Sequence, residues 1–402
     1  MTQSDFYGLV RRAEISNTQY PLQGVYLLLP NGTKILRNIE RVLFSSYYSE
    51  GYDEVELPTA VPEQFVSHLD TKDLLRVKNT YRQFVLSPSS EVQSLLALSS
   101  LAKTSADLPL KFISKSLVFR ENDSTSLIKS VEFLSYELHG FFNSHNEADS
   151  ERMKADSVFD TLTERLGIPT ISVTENPTSG PYKKISFFPF SQMYGTIYWS
   201  SVLGTKYTSN FKTLTNTKGI ESAPIQLNVG ITNRMLATYL ANHMDDKGFM
   251  LDREIAPYDV FIPMLKDVDD KNKIILESLK KEGFTYRYDS SKKRSNAFSK
   301  FYALGVPLMI CAGKEQLQIA PRTGEPIWID YKDLSNVMCR ILNLRNEKKI
   351  QRIKPVDAEL LPDKNMTSVF RVHISNEKKF SDTMKRLGYL DSEHAAYVHR
   401  KY

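Results

Sequence analysis

The stretch KFISKSLVFRENDSTSLIKSVEF, residues 111–133, alternates apolar residues up to Phe119 and then places Arg120. It crosses a mostly polar loop and resumes at Val131-Glu132-Phe133. Alternation at period two marks two strands joined by the loop. Such a pair presents one face to a ligand. An arginine at the end of the first strand can clamp a phosphate or carboxylate through its planar fork. An aromatic on the second can lie flat against a heterocyclic base. The same residues also read as an ordinary hairpin with a surface arginine and a core phenylalanine, and taken locally both readings stay open.

Outward from this stretch the periodicity keeps changing. From Asn31 it is helical, with Ile35, Leu36, Ile39, Val42 and Leu43 on one face, and Gly51 ends the helix. YDEVELPTAV follows as a strand, with Val55 and Leu57 alternating before Pro58. YRQFVLSPSSEVQSLLALSSLAKTSADLPLKF reads as strand, turn at Pro88, helix, and loop into the Lys111 strand. LSYELHGFF continues the Phe133 strand. HNEADSERMKADSVFDTLTERLG is an amphipathic helix with Val158, Leu162 and Leu166 on its apolar side. Strands and turns return from Pro169 to Gly195, and ATYLANHM is a helix following Gly230.

At DREIAPYDVFIPML the composition shifts. Strand (Tyr258–Pro263), helix (Asp270–Glu282), strand (Thr285–Tyr288), helix, and strand (VPLMICAG) come in succession, then a turn at RTGEP and a last helix, YKDLSNVMCRILNLR. Strands alternating with helices predict a small α/β domain with a parallel sheet core. The tail, Asn346 to Tyr402, opens with the basic NEKKIQRIK and holds one strand–helix pair, VFRVHIS then EKKFSDTMKRLGYL. The predicted domains are therefore 1–255, 256–345 and a C-terminal extension, 346–402.

Composition bounds the function. At 402 residues, 41% hydrophobic, the chain buries a sizeable core. Its 52 basic residues nearly match 47 acidic ones, and the net charge of +5 permits a polyanionic partner without requiring one. The two cysteines, Cys311 and Cys339, exclude a disulfide scaffold and a cysteine-based zinc site. The longest apolar run, GVYLLLP, stops at Pro30, so no membrane span and no membrane partner are expected. The opening residues lack a signal peptide, which points to the cytoplasm or the mitochondrial matrix.

The succession of blocks resembles the class II aminoacyl-tRNA synthetases, and within them the prolyl-tRNA synthetases. ILRNIERVLFSSYYSEGYDEVELP is similar to the first class motif, a helix-strand-proline unit at the dimer interface. FREN…SVEF is similar to the second, a strand-loop-strand that holds ATP and the amino-acid carboxylate. LNVGITNRMLATYL is similar to the third, a glycine-led helix carrying Arg234. LSPSSEV, LPLKF, VLGTKYTSNF, NHMDDKGFMLDREIAPYDVFIP and KFYALGVPLMICAGKEQL resemble prolyl-type blocks, in the family's order. The resemblance spans roughly residues 5 to 345.

The resemblance implies an α+β fold: a class II synthetase catalytic domain, with an antiparallel sheet flanked by helices, followed by a small α/β anticodon-binding domain. It implies an ATP-dependent aminoacyl-tRNA ligase of the prolyl type, a homodimer using ATP and Mg²⁺ on an amino acid and a proline-accepting tRNA. Arg120 and Arg234 would be the catalytic residues. Glu121, Asn122, Phe133 and Gln226 would join them around ATP, with Phe133 stacking on adenine. Ser89, Glu91, Glu137, His139, Trp199 and Ser200 would line the amino-acid pocket, and Lys292, Lys293 and Arg294 would meet the anticodon. The chemistry agrees: carboxylate attack on the α-phosphate needs positive groups aimed at the charge that develops, and no protein nucleophile. No resident metal site is expected, since Mg²⁺ in such a reaction is held largely by phosphates.

Three sites depart from the family pattern. Asn122 stands where the family carries a glutamate, Val131 where it carries an arginine, and WSSV (199–202) replaces its pocket residues. These leave open an alternative, a synthetase paralogue repurposed as a nucleic-acid- or protein-binding accessory factor. An adenylating enzyme with a carrier acceptor in place of tRNA is a third reading. His139 also reads as a satisfied core histidine, and KKR after DSS as a solvated loop.

Overall fold

The computed structural model describes residues 3–17, 24–66, 74–78, 83–121, 126–168, 171–175, 182–190, 193–216, 218–263, 269–289, 294–347, 356–360, 370–374 and 398–400. The chain forms two compact units, each assembled from separated stretches. One takes residues 20–26, 42–238 and 353–402; the other takes 1–19, 27–41 and 239–352. The division differs from the domain limits expected from the sequence, because the N-terminal segments and residues 239–255 join the C-terminal α/β unit.

The larger unit is built on a ten-stranded sheet among the described residues. From one edge its strands are Val398–Arg400, Val356–Leu360, Phe370–Ile374, Ile171–Glu175, Tyr182–Phe190, Met193–Gly204, Ile225–Thr232, Glu132–Phe142, Leu110–Phe119 and Asp53–Glu54. Every pairing is antiparallel except the last, where Asp53–Glu54 lies parallel to Leu110–Phe119. The Lys111–Phe133 stretch is the expected strand-loop-strand: Phe119 pairs with Glu132, and the Arg120 amide donates to the Val131 carbonyl at 2.9 Å. Of the tail, the expected helix EKKFSDTMKRLGYL lies outside the described residues. The tail's strands Val356–Leu360 and Phe370–Ile374 extend this sheet beyond Ile171–Glu175.

Alternation divides the central strands into two faces. One carries Tyr136, Leu138, Leu227, Val229 and Tyr198, which belong to the buried core. The helix His145–Arg165 starts at Ser144, whose hydroxyl accepts from the Glu147 amide. Its buried side is Ala148, Glu151, Arg152, Ala155, Asp156, Phe159 and Leu162; Val158, expected on that side, is only half-buried. The stripe is turned toward charged residues because they satisfy one another. Arg152 Nη1 meets Asp156 Oδ2 at 2.7 Å, and Asp156 Oδ1 accepts from the Tyr198 and Ser200 hydroxyls, each at 2.7 Å. The Phe159 and Tyr198 rings stack at 4.2 Å.

The helix Pro30–Tyr48 ends as the sequence predicts. Gly51 adopts φ +78°, Tyr52 N–H reaches back to the Tyr47 carbonyl and Gly51 N–H to that of Tyr48. This is the left-handed closure that glycine allows.

The smaller unit holds a five-stranded sheet in the order Tyr286–Asp289, Val260–Pro263, Leu308–Ala312, Leu317–Pro321, Ile327–Ile329. The first three strands are parallel, as expected. Leu317–Pro321 and Ile327–Ile329 are antiparallel additions that the sequence reading reduced to a turn at RTGEP. Helices Asp269–Lys281 and Leu334–Glu347 give Ile275, Leu279, Leu334 and Met338 to one core cluster, and Arg294–Leu304 gives Ala297 and Phe301 to another. Within the unit, Arg287 binds Glu14 at 2.7 Å and Asn31 at 3.3 Å. Among the described residues no helix is long and apolar enough to cross a membrane.

Candidate active site

The second face of the central strands is polar where a sheet interior is ordinarily apolar. Ser114, Glu137, Gly230 and Trp199 form one cross-strand row; Phe112, His139, Asn228 and Ser201 form the next; Phe141 pairs with Gln226. Phe133 and Ser135 lie further along the same face. The strand Ile225–Thr232 is buried throughout, yet Gln226 and Asn228 recur two apart on this face.

Several of these groups lack partners. Both amide atoms of Gln226, Asn228 Oδ1, His139 Nδ1, Glu137 Oε2 and Glu91 Oε1 are buried without a hydrogen bond. Each such atom costs about 1–3 kcal/mol unless a ligand or water satisfies it. Their gathering around one sheet face marks a binding site.

The loop before helix Glu91–Leu101 closes one side. Ser90 N–H donates to Glu137 Oε1 at 3.3 Å, Ser135 Oγ donates to the same oxygen at 2.9 Å, and Ser90 Oγ lies 2.9 Å from His139 Nε2. Burial lowers the His139 pKa to about 3, so the imidazole is neutral, and its ring tilts over Phe112 at 5.4 Å. Burial raises the Glu137 pKa, against hydrogen bonds from Ser135 and Ser90 and the charge of Arg120. Glu91 is raised to about 7 by burial and then by Glu137, against Lys206. Ser89 holds the turn, its Oγ accepting from the Glu91 amide at 3.4 Å.

Arg120 is exposed, donates from Nε to the Pro88 carbonyl at 3.0 Å, and lies 5.6 Å over the Phe133 ring. Arg234, the first residue of helix Arg234–Asn242, donates to the Ile128 carbonyl at 2.8 Å and the Thr196 carbonyl at 3.0 Å. Its pKa is lowered by burial and by the positive charge of Arg120, so the two guanidiniums approach the same region. Glu121 is exposed beside Arg120.

Trp199 and Ser200, expected together in the pocket, stand on opposite faces. The Trp199 indole crosses Gly230 so closely that a Cβ there would overlap the ring. Ser200 turns to the helix side and donates to Asp156, away from the face that carries Trp199. Strand alternation is the reason, and it brings Ser201 to the front in its place. Asn228, Ser90 and Ser201 were missed; the signal for Asn228 was a polar residue two positions from Gln226 in an otherwise apolar strand. Asn122, Lys292 and Lys293 lie outside the described residues, and Arg294 begins the helix Arg294–Leu304.

The Gly230–Trp199 contact gives a prediction. Gly230→Ala should displace the indole and cost about 1–3 kcal/mol through overpacking. Adding Trp199→Ala should recover most of that loss. Urea unfolding of the single and double variants measures both effects.

No family model matches the chain. The proline–tRNA ligase of Thermococcus kodakarensis is 26% identical over 396 residues, 87% of this chain and 80% of the relative. That of Methanococcus aeolicus is 26% identical over 398 residues, 87% and 84% of the two chains. Among solved structures, prolyl-tRNA synthetase from Cryptosporidium parvum complexed with halofuginone and AMPPNP matches with a TM-score of 0.75 at 19% identity, covering 86% of this chain and 78% of that one. The same enzyme complexed with L-proline and AMP gives a TM-score of 0.73. In sequence over most of its length the chain resembles proline–tRNA ligases, and in fold it is similar to prolyl-tRNA synthetase.

Proposed function

We propose that this protein is an ATP-dependent aminoacyl-tRNA ligase that activates proline as its adenylate and transfers it to tRNA. The observation that supports this most directly is the single sheet face on which Arg120, Phe133, Arg234 and the buried polar atoms of Gln226, Glu137 and His139 gather. Arg120, which carries no ion pair to a carboxylate among the described residues, is free to bridge the amino-acid carboxylate and the α-phosphate. Phe133 offers a flat apolar surface for adenine, and Arg234 holds the nucleotide from a second direction. Both charges are in place before reaction, which is what lowers the barrier to joining two anions. Glu91, Glu137 and Ser89 receive the substrate amine, while Trp199 and Phe112 supply apolar walls for the ring.

Mg²⁺ fits this site as a phosphate-held ion. Among the described residues there is no cluster of three metal-binding side chains, but the unpartnered Gln226 Oε1 suits one inner ligand. Bound there with ATP, the ion would neutralise phosphate charge. The α/β unit, with the 292–294 basic stretch, is assigned to the anticodon, and the 31–58 unit to a homodimer contact. A cytoplasmic or mitochondrial-matrix setting suits all of these partners.

ATP–pyrophosphate exchange measured with each amino acid tests the assignment. Exchange with proline alone is the expected result. Folded protein that exchanges with no amino acid would overturn the ligase and leave an accessory binding role on the same scaffold.

A further inference from the structure

Two buried carboxylates, Glu91 at the start of helix Glu91–Leu101 and Glu137 on the polar sheet face, form no ion pair with a lysine or arginine among the described residues. Ser90 N–H donates to Glu137 Oε1 at 3.3 Å, and the next residue, Glu91, lies near enough to feel the charge of Glu137. Glu137 Oε2 and Glu91 Oε1 are both buried and unpartnered. His139 Nε2 stands 4.0 Å from Glu137 Oε2, but the ring is neutral, and its own Nδ1 is also unpartnered. The charged groups facing the pair are Arg120, from the end of Leu110–Phe119, and Lys206, from the turn after Met193–Gly204. Each favours ionisation of one carboxylate, Arg120 that of Glu137 and Lys206 that of Glu91. The remaining neighbours on these elements, Ser90, Ser114, Ser135 and Trp199, carry no charge.

Two like charges held near one another away from water repel. Burial adds to that cost, and accordingly both carboxyls are raised, Glu91 to about 7. Without substrate the pair therefore shares a proton near neutral pH.

We propose that Glu91 and Glu137 take their substrate by a swap: the amino acid enters with its amine protonated, and the proton shared by the pair leaves to water. The inference rests on the amino-acid-binding reading above. The pair passes from charge −1 to −2 as the ammonium brings +1, and the one bond broken is a carboxyl O–H. The site thus selects a cationic amine, excludes an acylated one, and sets protons in competition with substrate at low pH.

The test is calorimetric titration of proline into the full chain, saturated with a non-hydrolysable ATP analogue, in buffers of different ionisation enthalpy. Release should approach about one proton per site at about pH 6, fall to about half at pH 7, and nearly vanish by about pH 8.5. In the steady state, KM for proline should rise by up to about tenfold per pH unit below about 7. Glu91→Gln should bind with little release at any of these pH values. Proline that binds with no net release at about pH 6 and 7, or Glu91→Gln that releases as the parent does, overturns the swap and leaves the ligase standing. Folded protein that binds no amino acid overturns both.

Discussion

Arg120→Ala is expected to lower proline-dependent ATP–pyrophosphate exchange by at least about 10³-fold while leaving the melting temperature close to that of the parent. Removing one preorganised donor from a developing charge typically costs about 10²–10³ in rate. Arg120 would serve two groups at once, the carboxylate and the α-phosphate. The structural effect should be small because the side chain is exposed, held by one bond to the Pro88 carbonyl and by the face of Phe133. Its loss strands no buried partner. Arg234 is a less clean probe, since it also ties down the Ile128 and Thr196 carbonyls. Exchange that survives Arg120→Ala would show that the strand-loop-strand does not hold the reacting groups.

The second large effect is on stability. Arg152→Met should destabilise the larger unit by about 3–5 kcal/mol, read from urea unfolding, because it removes the guanidinium that meets the buried Asp156 carboxylate at 2.7 Å. Asp156 is 7% exposed, and the Tyr198 and Ser200 hydroxyls that donate to it bring no charge. Pairing the change with Asp156→Leu should return much of the loss, since a buried ion pair is often replaceable by apolar residues of similar size. A double variant no better than Arg152→Met would mean that the guanidinium stabilises by packing, with the charge contributing little.

Much of the fold was legible because the responsible signals are local. The Pro30–Tyr48 helix shows an unbroken apolar stripe and a glycine at its end, and the Arg120 strand-loop-strand shows two runs of alternation around a polar gap. What stayed hidden depends on partners distant in sequence. In the sequence the helix after Ser144 is marked by Val158, Leu162 and Leu166; the burial of Arg152 and Asp156 goes with their own ion pair and with the Tyr198 and Ser200 hydroxyls, which lie far along the chain. Leu317–Pro321 and Ile327–Ile329 were lost because a short hairpin after a parallel strand breaks the alternation of strand and helix that had defined that domain. The tail strands could not be placed, since an edge strand's position is set by the strand it joins.

At the candidate site the residue types were visible, but their facing was not. WSSV names four neighbours without saying which look toward substrate, and that requires the register of Met193–Gly204 against Ile225–Thr232. Once Trp199 is set over Gly230, Ser201 follows it to the front and Ser200 goes behind. The buried amides at 226 and 228 likewise acquire meaning only when His139 and Phe141 are found opposite them.

That odd-and-even partition has an evolutionary reach. One set of positions on these strands answers to whatever molecule is bound, while the interleaved set answers to the supporting helix. Under the proposed function, a lineage could revise its substrate preference at 199, 201 or 228 without renegotiating the scaffold behind. Divergence in this chain is free to gather on one side of a ribbon whose other side stays fixed.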